Sequence, residues 1–117
     1  MAELVEVAKI SDLSDGAMKE VAVGGQEILL TKVQGRFHAI ANRCPHMGAK
    51  LSQGRLDGSV ITCPRHGSQF DVIDGHVVEW TAELPSVVSK LGKAFKHPRP
   101  AITYRTKVEE DKIFVEI

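Results

Sequence analysis

The sequence has little cysteine and no excess of charge of either sign. Only two residues are cysteine, fewer than a small secreted domain held by disulfides usually carries, although two could still form one bridge. Lysine and arginine together number 15, as do aspartate and glutamate, so the net charge is zero with histidine neutral. This balance gives no reason to expect nucleic acid or an anionic membrane as a partner.

Long apolar runs are also missing. No run approaches the roughly 18 residues of a membrane-spanning helix, and residues 1–7 lack the basic and apolar regions of a signal peptide. These absences predict a cytoplasmic protein without a membrane span. The 117 residues, 43% hydrophobic and 26% charged, are typical of a globular chain, and we expect one domain over residues 1–117. A domain of this size can bury a core without a structural metal, so a metal site here would be functional.

Short runs of alternating apolar and polar residues predict a protein built from β-strands. In the first run, Val5 and Val7 are expected on one face. Leu4, Glu6 and Ala8 are expected on the opposite face. Two-residue turns containing glycine separate several of the runs, as tight hairpins require. The predicted strands are Leu4–Ile10, Glu20–Val23, Glu27–Val33, Arg36–Ala41, Gly58–Thr62, Ser68–Ile73, His76–Trp80, Ile102–Val108 and Lys112–Ile117, with hairpin turns at Gly24-Gly25, Gln34-Gly35 and Asp74-Gly75.

Two segments depart from this pattern. Residues 42–58 are rich in glycine, proline, asparagine and serine and have weak periodicity, which predicts an irregular insertion. Residues 81–100 form a second insertion, with one candidate helix over residues 86–95. Long irregular loops in a compact domain usually carry function, so we expect function in loops on a β scaffold.

Both cysteines belong to one repeated motif. Cys44-Pro45-His46 is followed, after the 16 residues 47–62, by Cys63-Pro64-Arg65-His66. Each half begins with Cys-Pro and continues into glycine. Two such loops facing each other would offer two thiolates and two imidazoles, which are ligands of zinc or of an iron–sulfur cluster.

The spacing of the motif favours an iron–sulfur cluster over zinc. Structural zinc sites usually pair cysteines two to four residues apart and place all four ligands on one ion. In an extended loop, Cys44 and His46 point the same way but stand apart, which suits ligands of two different metal atoms. A binuclear cluster with Cys44 and Cys63 on one iron and both histidines on the other uses this spacing, and that mixed ligation defines the Rieske centre. A zinc site is the alternative.

The two loops also resemble those of a known family. Segments 44–48 and 63–71, with the sequences CPHMG and CPRHGSQFD, are similar to the cluster loops of Rieske proteins, and most of all to the soluble Rieske-type ferredoxins of bacterial ring-hydroxylating dioxygenases. The resemblance implies an all-β Rieske fold of antiparallel sheets with a small cluster-binding subdomain at about residues 42–73. It implies one Rieske-type [2Fe–2S] cluster, with Cys44, His46, Cys63 and His66 as ligands and Met47, Gly48, Gly67, Ser68 and Phe70 around them.

The resemblance further implies an electron carrier rather than an enzyme. Such a carrier shuttles single electrons from a flavin-dependent reductase to a terminal oxygenase, and we expect it to be a monomer. Two alternatives are a Rieske small subunit of another redox enzyme, similar to that of nitrite reductases, and a redox-sensing module. His38, in an alternating strand, and His76, after a turn, are expected to be ordinary strand and surface residues.

Two departures distinguish the chain from the Rieske proteins of cytochrome bc complexes. Those proteins carry an additional disulfide between the loops, whereas Ala49 and Arg65 stand at the corresponding positions here. They also follow the second loop with a serine and a tyrosine that donate hydrogen bonds and raise the potential. This chain keeps Ser68 but has Phe70 at the tyrosine position. We therefore expect a reduction potential toward the low end of the roughly −150 to +300 mV Rieske range.

Overall fold

The computed structural model describes residues 3–45, 49–64, 67–79 and 100–117. Within these ranges it contains eleven β-strands, two short 3₁₀ helices (Ile10–Asp12 and Leu51–Gln53) and no α-helix, which confirms the all-β prediction. No helix in the same ranges is long and apolar enough to cross a membrane. The predicted helix at 86–95 lies outside the described residues. The strands are β1 (Leu4–Lys9), β2 (Met18–Val23), β3 (Gln26–Val33), β4 (Arg36–Ala41), β5 (Arg55–Asp57), β6 (Val60–Thr62), β7 (Gln69–Asp71), β8 (Val77–Glu79), β9 (Thr103–Tyr104), β10 (Thr106–Glu109) and β11 (Lys112–Glu116).

The strands form three antiparallel sheets. The terminal sheet has the order β1-β11-β10, the middle sheet β2-β3-β4-β9 and the loop sheet β5-β6-β7-β8. Most strands that pair with each other also follow one another directly in the sequence. Short turns can connect them because the paired strands are antiparallel. The exceptions are β1 with β11 and β4 with β9, which bring distant parts of the chain together.

The middle sheet begins with the two hairpins that the sequence predicts. Gly24 and Gly25 have φ of 56° and 80°, and Gln34 and Gly35 have φ of 50° and 80°. Two consecutive residues with positive φ form the type I′ turn, whose twist matches that of the flanking strands. The predicted hairpins β2–β3 and β3–β4 are therefore confirmed, with the turns at the expected positions.

Strand β3 buries side chains on both faces of the middle sheet. Ile28, Leu29 and Leu30 are consecutive, so they point alternately to opposite faces, yet each is 0% exposed. Leu29 packs in a core that includes Phe70 of the loop sheet. Ile28 and Leu30 pack in a second core with Ile113 of the terminal sheet. The middle sheet therefore separates two cores, which explains why its strands are apolar without strict alternation.

Strand β1 differs from the prediction at Ala8. The register with β11 shifts between Glu6 and Ala8, so that Val7 is an additional residue in a β-bulge. The shift turns Ala8 into the core, where it is 7% exposed, although Leu4 on its predicted face is 47% exposed. Val5 and Val7 both pack partly buried against this core, as predicted, but the predicted alternation was wrong at Ala8, because a bulge exchanges the two faces of a strand.

The predicted single strand Ile102–Val108 is in fact two strands in different sheets. Strand β9 pairs with β4, and β10 pairs with β11, so the chain changes sheets at Arg105. The crossing is held by a hydrogen bond from the Thr106 hydroxyl to the Phe37 carbonyl oxygen (2.9 Å) and by one from Glu116 N–H to the Arg105 carbonyl oxygen (2.9 Å). The predicted C-terminal hairpin is confirmed for β10 and β11.

The loop sheet contains more regular structure than the sequence predicts. Residues 42–58 were expected to be irregular, but they include the 3₁₀ helix Leu51–Gln53 and strand β5. Strand β5 has only three residues, too short for a visible alternation. The hairpin at Asp74-Gly75 is confirmed; β7 is shorter than predicted, and β8 begins at Val77 rather than at His76.

We expect Gly75→Ala to destabilise the fold more than Gly16→Ala. Both glycines have φ near +80°, where an L-residue costs about 1–2 kcal/mol. A Cβ at Gly75 would lie 2.2 Å from the Ala101 carbonyl oxygen, whereas a Cβ at Gly16 would have no atom within 4 Å. Thermal unfolding followed by circular dichroism should show a larger fall in the midpoint for Gly75→Ala. Equal falls for the two variants would contradict the packing argument.

Candidate metal centre

The two cysteines occupy one buried core, although each belongs to a different sheet. Cys44 follows β4 of the middle sheet, and Cys63 follows β6 of the loop sheet. Each is 2% exposed, and both pack in the core that contains Leu29 and Phe70. The two thiols are not joined in a disulfide. The structure thus brings the two cysteines of the repeated motif together as reduced, buried, soft ligands.

Each of the two cysteine loops is closed by a backbone hydrogen bond of the same type. Cys44 N–H donates to the Ala49 carbonyl oxygen (2.8 Å), and Cys63 N–H donates to the Ser68 carbonyl oxygen (2.8 Å). In each case the acceptor lies five residues after the cysteine. The second loop has a further bond from Gly67 N–H to the Cys63 carbonyl oxygen (3.2 Å), and Gly67 has φ of 77°, a conformation that favours glycine.

The remaining residues of the predicted site divide into described and undescribed groups. Ser68 and Phe70 are each 0% exposed and follow the second loop, as the sequence predicts. Four residues of the predicted site lie outside the described part of the chain. They are the two predicted histidine ligands, His46 and His66, together with Met47 and Gly48. Among the described residues, no group of three or more histidine, cysteine, aspartate or glutamate side chains is placed to hold a metal ion. The described part of the candidate centre is therefore the pair of thiols and the loops that carry them.

Asn42 supports the first loop, a role that no local sequence pattern indicates. Its side chain is 0% exposed and makes two hydrogen bonds with Ser52, accepting one from Ser52 N–H at Oδ1 (2.7 Å) and donating one from Nδ2 to Ser52 Oγ (2.9 Å). Asn42 N–H also donates to the Glu27 carbonyl oxygen (2.9 Å). These bonds join the end of β4 to the 3₁₀ helix on the other side of Cys44, so Asn42 fixes the two ends of the first loop.

Gly54 supports the second loop for a steric reason. A Cβ at this position would lie 2.0 Å from the Thr62 carbonyl oxygen and 3.2 Å from Pro64 Cδ. Only glycine therefore allows residue 54 to lie against the chain on both sides of Cys63. The position of Gly54 in a glycine-rich segment is a weak indication of this role, but the close approach is set by tertiary packing.

Charged side chains beside the first loop are paired. Lys50 Nζ lies 2.8 Å from Glu20 Oε1, and this hydrogen bond raises the pKa of Lys50 and lowers that of Glu20. Arg43 Nε lies 3.1 Å from Glu27 Oε2. Because these pairs are at least partly exposed, they contribute little to stability. They leave no large net charge on this side of the first loop.

A cleft of about 800 Å³ opens beside the first loop. Cys44 and Pro45 line it on one side, and Ile102 and Tyr104 line it on the other. Ile102 is 63% exposed, and the Tyr104 hydroxyl donates to Gln26 Oε1 (2.6 Å). Arg43 and Glu27, which form an ion pair, also line the cleft, so the surface beside Cys44 combines apolar groups, neutral polar groups and one balanced pair of charges, a composition suited to contact with another protein.

His38 and His76 lie away from the two cysteine loops, as expected. His38 is a half-buried residue of β4, and burial lowers its pKa, with nearby Asp71 partly opposing the effect and Arg36 adding to it. His76 is exposed and its Nδ1 contacts Asp74 Oδ1 beyond β7. A lowered pKa leaves His38 neutral at pH 7.

Comparison with known sequences identifies relatives of the chain. Residues 3–94 match the family described as Rieske [2Fe-2S] domain. The ferredoxin component of the naphthalene 1,2-dioxygenase/salicylate 5-hydroxylase systems of Ralstonia sp is 31% identical over 113 residues, which cover 97% of this chain and 94% of that protein. Human apoptosis-inducing factor 3 is 32% identical over 109 residues, which cover 93% of this chain and 16% of that protein. The chain thus spans about one sixth of the length of this longer relative.

A solved structure has the same fold. It is the complex of reduced oxygenase and oxidized ferredoxin in carbazole 1,9a-dioxygenase, one chain of which is 28% identical to this chain. The TM-score is 0.76, and the match covers 96% of this chain and 91% of that one. The arrangement of sheets described above is therefore shared over nearly the whole length of both chains.

We expect Asn42→Ala to weaken the first loop more than Ser52→Ala. Asn42→Ala removes both side-chain bonds to Ser52 and leaves the Ser52 N–H without its acceptor, at a cost of about 1–3 kcal/mol. Ser52→Ala removes only the bond from Asn42 Nδ2 to the hydroxyl. Asn42→Ala should lower both the thermal midpoint and the ratio of iron to protein, and Ser52→Ala should lower them less. Equal falls in the thermal midpoint and in the iron content of both variants would contradict a role for the hydrogen bond from Ser52 N–H to Asn42 Oδ1.

Proposed function

The chain belongs to the Rieske [2Fe–2S] domain family, and on that premise we propose that its cluster is held by four residues, Cys44, His46, Cys63 and His66. The family match confirms the resemblance that the two Cys-Pro loops predict, and with it the all-β Rieske fold and one Rieske-type [2Fe–2S] cluster as cofactor. The assignment of the four ligands is our proposal. It gives each loop one cysteine and one histidine.

The observation that supports this assignment best is the placement of the two thiols. Cys44 and Cys63 are 2% exposed, free of a disulfide and packed in the same core, each at the start of a loop closed by a bond to the residue five positions later. Thiolates are the ligands that iron–sulfur clusters require, and a dry core favours their retention. His46 and His66 each lie inside one of these loops in sequence, so both loops can contribute the same pair of ligand types.

We propose that the protein is an electron carrier between a flavin-dependent reductase and a terminal oxygenase. A bound Rieske cluster accepts and releases one electron at a time. The Ralstonia relative, which this chain matches over most of its length, is named a ferredoxin component, and the carbazole 1,9a-dioxygenase structure is a complex of a ferredoxin with an oxygenase. The chain's own residues hold the cofactor, exclude water through the core around Cys44 and Cys63, and present the cleft beside Pro45 to a partner.

The remaining expectations follow from this proposal. We infer a monomer, and we infer that it is cytoplasmic, in keeping with two thiols that are not joined in a disulfide, since an oxidising compartment favours disulfides. We also infer a single domain over residues 1–117, with the cluster-binding subdomain at about residues 42–73. Strands β5, β6 and β7 support that subdomain, because they fall inside this range and pair with one another.

A second candidate is a Rieske module of a larger redox enzyme. The match to only 16% of human apoptosis-inducing factor 3 favours it, because there the same domain is part of a much longer protein. Electron delivery to an isolated terminal oxygenase, measured as substrate turnover with a flavin-dependent reductase and NADH, separates the two candidates. Turnover that requires this chain supports the carrier, and its absence supports the module.

We expect the dithionite-reduced protein to give a rhombic EPR signal with an average g below that of all-cysteine [2Fe–2S] ferredoxins. Two irons and two sulfides should be present per chain. Substituting any proposed ligand by alanine should abolish the signal, whereas His76→Ala, on an exposed turn, should preserve it. A silent spectrum with one zinc per chain and no sulfide would instead support the zinc alternative.

We expect Phe70→Tyr to raise the reduction potential from a value near the low end of the Rieske range. Phe70 is buried in the core of both cysteines, so a hydroxyl added there can donate toward the cofactor. A net hydrogen bond of about 1 kcal/mol corresponds to a rise of roughly 40 mV for one electron. Phe37→Tyr, in the core on the other face of the middle sheet, is the matched control and should leave the potential unchanged. Equal potentials for the Phe70 variant and the parent, measured by protein-film voltammetry, would contradict the expectation.

A further inference from the structure

A second groove lies at the other end of strand β4 from Cys44. It has a volume of about 870 Å³ and runs between the start of β4, the crossing at Arg105, strand β10 and Ile73 beyond β7. Strand β4 rises about 3.3 Å per residue, so Arg36 lies roughly 16 Å from Ala41, and Cys44 is three residues farther along the chain. We call this feature the basic groove. It adjoins the cleft beside the first cysteine loop at Tyr104, which lines both, but Cys44 and Pro45 line only that cleft.

The basic groove carries cationic side chains and no carboxylate. Lys32, Arg36 and Arg105 line it together with His38, and none of the described residues that line it is aspartate or glutamate. The ion pairs found among the described residues lie elsewhere, so none of these three cations has a carboxylate within 4.0 Å there. In a chain with equal numbers of acidic and basic residues, this is a local concentration of unpaired positive charge.

Two carboxylates beside the groove, Asp15 and Asp71, accept hydrogen bonds from uncharged donors. Asp15 Oδ1 accepts from Gly35 N–H at the rim (3.1 Å). Asp71 accepts from Ile73 N–H (2.9 Å) and from the Ser59 hydroxyl (3.2 Å). Neither forms an ion pair within 4.0 Å with a cation of the groove, so each offsets the positive charge there only at longer range.

Apolar side chains lie exposed among these cations. Ile73 is 55% exposed and Val108 is 44% exposed, and both line the groove. They are two of the five large hydrophobic residues that the described part of the chain exposes most. Phe37, with Lys32 Nζ 5.5 Å from its ring centroid, lies below them at the base of the groove. A ligand that fits must therefore combine negative charge with apolar surface.

We propose that the basic groove docks an acidic segment with interspersed apolar side chains, supplied by a redox partner protein. The identity of the partner as a redox protein rests on the function proposed above. A small molecule is disfavoured because ligand sites usually enclose most of their ligand, whereas Ile73 and Val108 are half exposed. A nucleic acid backbone would pair with the cations but would not cover these two side chains.

Docking at the basic groove has a physical advantage for a carrier. Complementary charge raises the association rate and orients the encounter without demanding a large buried interface. Because Cys44 and Pro45 do not line the groove, a partner segment bound along Arg36 and Arg105 leaves the surface at Cys44 open for electron exchange. The carrier would remain attached while the surface at Cys44 contacts one redox centre after another.

The test is titration of the cluster-loaded protein with a fluorescein-labelled peptide of alternating leucine and glutamate, followed by fluorescence anisotropy at low salt. Arg36→Glu and Arg105→Glu should each weaken binding about tenfold. Lys107→Glu is the matched control, since Lys107 is exposed on β10 but does not line the groove, and it should change binding less than twofold. The EPR signal of every variant should remain that of the parent protein.

Several results would overturn the proposal. These are an absence of peptide binding, an equal loss on Lys107→Glu, and equal affinity for a peptide of alternating glycine and glutamate. A single-stranded oligonucleotide that binds more tightly and loses affinity in the same variants would identify a nucleic-acid site instead. The readout is independent of the proposed carrier function, because failure to bind iron would appear in the EPR spectrum and not in the anisotropy.

Discussion

The middle sheet has to be covered on both faces, and the remainder of the fold follows from this requirement. Its central strand presents consecutive large side chains to opposite sides, so neither face can be left to solvent without exposing apolar surface. The terminal sheet covers one face and the loop sheet covers the other. The cysteine loops are carried on the side of the loop sheet, and their geometry depends on a core that the middle sheet supplies.

This arrangement explains why two cysteines nineteen positions apart become neighbours in one core. One leaves the middle sheet at the end of β4, and the other leaves the loop sheet at the end of β6. The buried side chains between these sheets hold the starts of both loops against each other. The backbone bonds at Ala49 and Ser68 then close each loop, so that its shape is fixed by main-chain contacts.

Much of the fold and of the centre could be predicted from the sequence, where the signals are local. Two-residue glycine turns specify β2–β3–β4 directly, and the repeated Cys-Pro motif identifies both thiols and the family. The errors occur where a contact distant in sequence overrides the local pattern. The bulge at Val7 depends on pairing with β11, and the sheet change at Arg105 depends on bonds to Phe37 and Glu116. Asn42 gave no signal because its partner is ten residues away. The two histidines remain sequence-based assignments, since they lie outside the described residues.

The bond between Ala101 N–H and the Gly75 carbonyl oxygen (2.8 Å) bears on how such a chain can diversify. It fastens the scaffold on both sides of the interval that begins after β8 and ends before residue 100. The entropy of closing a loop between fixed ends grows only slowly with its length, by about 0.6 kcal/mol for each doubling. A change in the length of the chain between these fixed ends therefore adds little closure entropy for the three sheets and both cysteine loops to offset. This interval is a place where a new binding specificity could be grafted onto an unchanged redox core.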